Sequence, residues 1–394
     1  MLDSIYTGMS GLLGFSNGLK TISNNTANMN TPGFKESTLQ FSDLFYSDGN
    51  LSGGNGGGQT GFGLNTGSTT LNFKQGEFRS TGNDLDLAID GLGLFTLRDS
   101  SGNIHYTRAG QFQFDAGGNL VDRNDGANVL GLDGSGNLQN ISISGLLTSP
   151  AQATTTVKFN GNLSSTATTQ NANATVIDSA GGSHSLVLQF TNTTTGGSTS
   201  NIWTVSVLDG TTTVGTGSLT FVNGNIVASS SKIAISYAPS ASTASTVTFD
   251  FSSDVTSFAA GNVTNLAMTT QDGRAAGGLT KSTFDSSGVL TLTYSNGKTV
   301  TAMPLAISRF DTPDAIVSIG GNRFDSTNPN AWHTGTANEG AFGVVKSGGV
   351  EASNVDLSQE FSDLVIMQRG YQSSSQVIST ANEMLQELFT MKGK

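Results

Sequence analysis

The sequence predicts a mainly β protein with α-helical termini. Two nested, β-rich domains of sandwich- or barrel-like kind accompany a coiled-coil-like terminal helix pair. Three observations predict this. Apolar residues recur every seven positions near the C-terminus. They recur at helical spacing again over the first thirty residues. Between these ends, short alternating runs are separated by Gly, Asn and Asp. With 394 residues the chain can hold two or three domains and a sizeable core.

The C-terminal pattern is the stronger helix signal. Leu357, Leu364, Tyr371, Ile378 and Leu385 form the heptad line, and Phe361, Met367, Met384, Leu388 and Phe389 widen it. Asp356 can cap the start, with Gln359 placed for a capping box. Acidic residues (Asp356, Glu360, Asp363) crowd the first turns and Lys392 and Lys394 the last, as the helix dipole favours. Such a helix is about 50 Å long at ~1.5 Å per residue, so its apolar face needs a partner of comparable length.

At the other end, Leu2, Ile5, Met9, Leu12 and Leu19 share a side, with Phe15, Ile22 and Met29 at its edge. Gly8, Gly11, Gly14 and Gly18 interrupt the same segment. Each glycine costs a helix about 1 kcal/mol relative to Ala, so the segment is a poor helix alone. The glycines lie three and four residues apart and make a smooth strip for another helix. Two readings stay open: a poor helix packed on its own domain, or, the one we expect, a helix that forms only when packed against other chains.

The run from Ser23 to Lys35 ends the helix in a turn, and residues 31–70 read as a Gly-rich connector. From 71 the pattern is β. Leu85, Leu87 and Ile89 alternate, as do Phe112 and Phe114, and turn clusters such as Ala116–Asn119 and Asp133–Asn137 divide the strands. These clusters lack calcium-loop spacing and read as hairpin turns. Residues 146–277 are also β but richer in Thr, Ser, Ala and Asn, with strand cores at Leu186–Phe190, Trp203–Val207, Ile233–Tyr237 and Val247–Phe251. The hairpin signal at Leu290–Tyr294, Asn296-Gly297 and Thr299–Ala302 then resumes the earlier type. The expected layout is an inner β domain of 71–145 and 278–356, an outer one of 146–277 inserted into it, and terminal helices of 1–30 and 357–394.

Composition excludes several classes. Formal net charge is −11 without basic runs, which argues against nucleic acid or an anionic membrane as partner. Charged residues are only 12%, and no apolar run nears the roughly 20 residues of a membrane span. There is no cysteine, hence no disulfide or thiolate metal site. The first residues lack the basic and apolar regions of a cleaved secretory signal. His105, His184 and His333 are far apart, without metal-ligand spacing. Asp84, Asp86 and Asp90 could serve as glycosidase carboxylates, with Trp203 or Trp332 as a sugar platform, but Asp beside turn glycines has backbone reasons. No enzyme, cofactor or metal is expected.

Several motifs in order carry a resemblance. Asn24, Asn25, Ala27, Asn28, Asn30, Thr31, Gly33, Phe34 and Lys35 resemble an N-terminal signature of the bacterial flagellar rod and hook axial proteins. Gln75-Gly76-Glu77, Leu85–Phe95, Tyr106–Phe112 and Gly118–Asp122 are similar to its next blocks, and Glu351–Ser358 with Gln368–Gln372 to its C-terminal one. Thr26 and the Lys20-Thr21 pair depart from the pattern. The large insert makes the chain similar to the hook-type members rather than the shorter rod-type ones.

The resemblance implies a self-assembling structural subunit of a curved, flexible, torque-carrying tube. It also implies partners in rod, hook cap and hook–filament junction proteins, and export through the flagellar type III apparatus without a cleaved signal. Copies are expected to join through Leu2, Ile5, Met9, Leu12, Leu19, Ile22, Leu357, Phe361, Leu364, Tyr371, Ile378, Leu385 and Leu388. The low charge content is expected to let neighbouring surfaces slide as the tube bends. The alternatives are a distal rod-type protein of the same family, or a secreted β-rich adhesin or carbohydrate binder with the helices as anchors.

Overall fold

The computed structural model describes residues 2–44, 46–48, 59–194, 200–239, 243–263, 265–312 and 315–392. The chain divides into two compact units. Unit 1 holds Met1–Ser144, Ser282–Thr291 and Thr301–Lys394; unit 2 holds Gly145–Lys281 and Leu292–Val300. No helix is long and apolar enough to cross a membrane among the described residues.

Unit 1 contains both helices, α1 (Leu2–Ala27) and α2 (Leu357–Lys392). The start of α2 is capped as its sequence requires. The Asp356 carboxylate accepts the N–H groups of Ser358 at 2.8 Å and Gln359 at 3.3 Å. The capping box is not completed, because the Gln359 amide donates to Asp363 one turn on. Lys394 lies outside the described residues.

The β body of unit 1 is a ten-stranded sheet. Its path runs Ile316–Gly320, Arg323–Ser326, Ile104–Thr107, Leu94–Arg98, Asn128–Leu132, Leu120–Asp122 and Phe112–Phe114. Ile307–Phe310 joins the path at Leu94–Arg98 and is flanked by Trp332–Gly335. Two short ladders, Leu87–Asp90 with Val344–Ser347 and Phe78–Ser80 with Gly349–Glu351, tie the end of the chain to its beginning.

Part of the expected connector is structured. Ser37–Asp43 pairs antiparallel with Leu64–Leu71, Ser37 facing Leu71 and Phe41 facing Thr66. The alternation of Leu39 and Phe41 with polar neighbours is a strand pattern, and α1 covers its apolar side: the Phe15 and Phe41 rings stand 6.0 Å apart. The densest glycine run, residues 49–58, lies outside the described residues.

Unit 2 is a second ten-stranded sheet. Its strands alternate: Leu186, Leu188 and Phe190 on one strand, and Trp203, Val205 and Val207 on the next, are fully buried, and the residues between them are more open. Strands from both ends of the sheet feed one core, Ala172 and Val176 meeting the same cluster as Ile233, Tyr237 and Phe249. Gly215 and Gly217 make room for this closure, since a Cβ on Gly217 would stand 2.6 Å from Ile233 Cγ2. The turn after Thr212–Val222 uses Asn223 at φ 51° and Gly224 at φ 78°, both left-handed, as a tight two-residue hairpin demands.

Hairpin turns also account for the Asp–Gly–Asn clusters. Asp99, Asp133 and Asp285 each accept backbone N–H groups two and four residues ahead. Asp99 is thereby held down at about 2, led by its bond from the Asn103 side chain. Among the described residues no group of three His, Asp or Glu is arranged to hold a metal ion.

Candidate assembly interface

The two helices run antiparallel, and the glycine strip of α1 is where they touch. Gly8 lies against Ile378, Gly11 against Ser374 and Gly18 against Met367; an added Cβ would stand 2.8, 2.7 and 2.9 Å from those side chains. The helix that closes on the strip is the chain's own α2. Gly14 turns instead toward Leu64, Phe41 and Thr66. On α2 the facing seam is Leu364, Met367, Ser374, Ile378, Ala381 and Leu385, the three-and-four alternation of a coiled coil.

The expected assembly residues therefore divide. Ile22 is buried within the chain, and Ile5, Leu12, Leu19, Leu364, Ile378 and Leu385 are half-buried. Met9, Leu357, Phe361, Tyr371 and Leu388 are exposed; the Leu2 side chain lies outside the described residues. The sequence reading missed further exposed apolar residues on the same helices: Tyr6 and Leu13 on α1, Val365, Ile366, Val377 and Met391 on α2. Their signal was present as apolar residues off the seam. Phe389 and Met391 are the most open, at 69% and 80% exposed. Large apolar side chains left in water along both helices cost roughly 1.5 kcal/mol or more each relative to burial, so this face favours a covering surface.

At their roots the helices are tied to the β body by a buried polar knot. Glu351, fully buried, accepts Lys35 Nζ at 2.6 Å, Arg108 Nε at 2.5 Å and the Gly76 N–H at 2.9 Å. Lys35 also donates to the Lys74 carbonyl at 2.8 Å. The rest of the Arg108 guanidinium donates to the carbonyls of Gly93, Ile89 and Gly91. Gly33, at φ 70°, gives its N–H to the Glu351 carbonyl, and a Cβ there would stand 2.5 Å from the Ala109 nitrogen. Lys35, Arg108 and Glu351 are each hydrogen-bonded within this knot, the condition under which a buried ion pair is tolerable.

A second tie lies beside it. The Asn25 side chain holds Ser37 by both backbone groups and donates to Glu360 Oε1 at 2.8 Å. Asn354 takes the Glu36 N–H and donates to the carbonyls of Asn72 and Lys74. Burial holds the Glu360 carboxyl above its ordinary range; Asn25 opposes the shift, and Glu36 and Asp363 nearby add to it. Of the remaining signature residues, Asn24 and Thr31 bond to Asn28 and shape the turn, and Phe34 is half-buried, while Ala27 and Asn30 are exposed. The blocks that are scattered in sequence thus meet at one place.

The residues weighed for catalysis are used structurally. Each histidine is bonded to an aspartate, His105 to Asp99, His184 to Asp178 and His333 to Asp311. Asp86 is held by Thr81, Asn83 and Arg123, and Asp90 by Lys346. Trp203 is fully buried, and Trp332 stacks on Tyr106 at 3.6 Å between ring centroids.

Three family models match the chain: flagella basal body rod protein over residues 5–35, flagellar hook protein FlgE/F/G D1 domain over 88–165, and flagellar basal body rod FlgEFG protein C-terminal over 346–391. The flagellar hook protein FlgE of Escherichia coli (strain K12) is 30% identical, with 98% of each chain covered. That of Salmonella typhimurium is 30% identical over the same shares. That of Borreliella burgdorferi is 28% identical over the whole of both chains. Among solved structures, the crystal structure of Helicobacter pylori flagellar hook protein FlgE2 aligns with a TM-score of 0.50 at 13% identity, covering 71% of this chain and 100% of that one.

Proposed function

Because this chain belongs to the FlgE family of flagellar hook proteins and is a structural subunit of the hook, we propose that its copies join through the exposed apolar faces of α1 and α2. A subunit that carries complementary faces in different places polymerises head to tail into an open helix. The observation that supports this reading is the distribution of exposure. Both helices spend one face on each other, yet Tyr6, Met9, Leu13, Phe361, Val365, Leu388 and Phe389 stay in water. The knot around Glu351 fixes the angle at which the pair leaves the β body, so every copy presents the same face.

The family is a structural one that self-assembles with other flagellar components. We extend this to rod proteins at one end of the tube, cap and junction proteins at the other, and passage through the flagellar type III export apparatus.

The test uses substitutions at side chains that the single subunit leaves exposed: Leu13→Glu, Leu388→Glu and Phe389→Glu in the full chain. Thermal melts should match the unaltered protein, while sedimentation and electron microscopy should show tubes lost. Tubes of ordinary length and yield from all three variants would overturn the reading.

A further inference from the structure

The face of α2 turned away from α1 separates its charges. Arg369 lies in the first half of the helix, and Glu383 and Glu387 lie near its end; all three are exposed. Arg369 and Glu387 are eighteen residues apart. At ~3.6 residues per turn that is about five whole turns, so both point along one line, opposite Met367, Ser374 and Ile378. Glu383 sits one turn before Glu387 beside that line. Among the described residues none of the three makes an ion pair. Within one chain Arg369 cannot meet Glu383 or Glu387, which lie about 21 and 27 Å along the helix at ~1.5 Å per residue.

Each charge group is set among exposed apolar side chains, Val365 and Ile366 before Arg369, Met384 and Leu388 around Glu387. The face is thus a positive apolar patch and a negative apolar patch at a fixed spacing. Such a surface is complementary to a shifted copy of itself.

We propose that adjacent subunits lay their α2 helices side by side, parallel and displaced by 14 to 18 residues, so that Arg369 of one copy sits between Glu383 and Glu387 of the next. The axial step is about 21–27 Å at ~1.5 Å per residue. A parallel, shifted contact leaves one patch free on each outer copy and so propagates. An antiparallel contact would satisfy both patches at once and close as a dimer. The inference rests on the reading that the terminal helices join copies, and it fixes their register.

Two measurements on the full chain test it. Arg369→Glu should raise the protein concentration needed for tubes roughly five- to tenfold, and adding Glu383→Arg with Glu387→Arg should restore it. The absence of native cysteine makes the second clean. In polymer assembled from the Arg369→Cys/Glu387→Cys variant, oxidation should give a ladder of covalent multimers on a denaturing gel. An unchanged threshold for Arg369→Glu, a charge swap that fails to restore assembly, a ladder that stops at dimers, or intact tubes without a ladder would each overturn the register. If tubes are lost with Leu388→Glu but not with Arg369→Glu, the register falls and the assembly face stands. If both variants form tubes normally, both fall.

Discussion

Glu351 is the residue on which the polar knot turns. It is 1% exposed and takes charge-assisted bonds from Lys35 and Arg108, segments separated from it by most of the chain. Removing it strands two buried cations. Glu351→Ala should therefore cost about 3–5 kcal/mol of stability, read by denaturant unfolding of the subunit. Glu360 differs, because it is buried with a neutral donor, Asn25, and two carboxylates for neighbours. Its folded pKa is raised, so the folded state carries a penalty at neutral pH that eases as pH falls through that raised value toward the ordinary 4.5. Glu360→Gln keeps an oxygen for Asn25 and removes the penalty. Melting temperature should rise at pH 7 and coincide with that of the unaltered protein at pH 4; a gain of equal size at both would refute the account.

At the scale of elements, the glycines of α1 exchange helix propensity for close approach. Gly8 is the tightest test, since the stem of Ile378, not a flexible tip, occupies the space. Gly8→Val should part the helices and destabilise the pair by about 1–3 kcal/mol, seen as a lower helical melt. Local chemistry made these elements legible. The heptad line predicted α2, the glycine-spaced stripe predicted α1, and Asn296-Gly297 marked its turn. Two features were not legible. The strand Ser37–Asp43 was read as connector because the glycines that follow it outweighed a short alternation. The convergence of Lys35, Arg108 and Glu351 was not legible although each lies in a signature block, since Glu351 is 316 residues from Lys35 and 243 from Arg108 and only the fold joins them.

Over the whole molecule, charge is divided unevenly. In unit 2, Lys158, Lys232, Arg274, Lys281 and Lys298 balance Asp178, Asp209, Asp250, Asp254 and Asp272. The net charge of −11 therefore belongs to unit 1, which also carries the helices. Copies brought together through unit 1 repel one another, and salt relieves this as the screening length falls from ~30 Å at 0.01 M to ~3 Å at 1 M. The threshold for tube formation should drop several-fold across that range, measured by sedimentation; a threshold independent of salt would contradict it. Neutral, Thr- and Ser-rich surfaces on unit 2 suit contacts that shift during bending. Opposite charges introduced across them should stiffen the tube in a bending measurement.

The ion pairs around Glu351 also impose an order on folding. A chain synthesised from its amino end presents Lys35 and Arg108 long before Glu351, the carboxylate that answers both of them. Until residue 351 arrives the latch has no tongue, and Lys35 and Arg108 lack their shared anion.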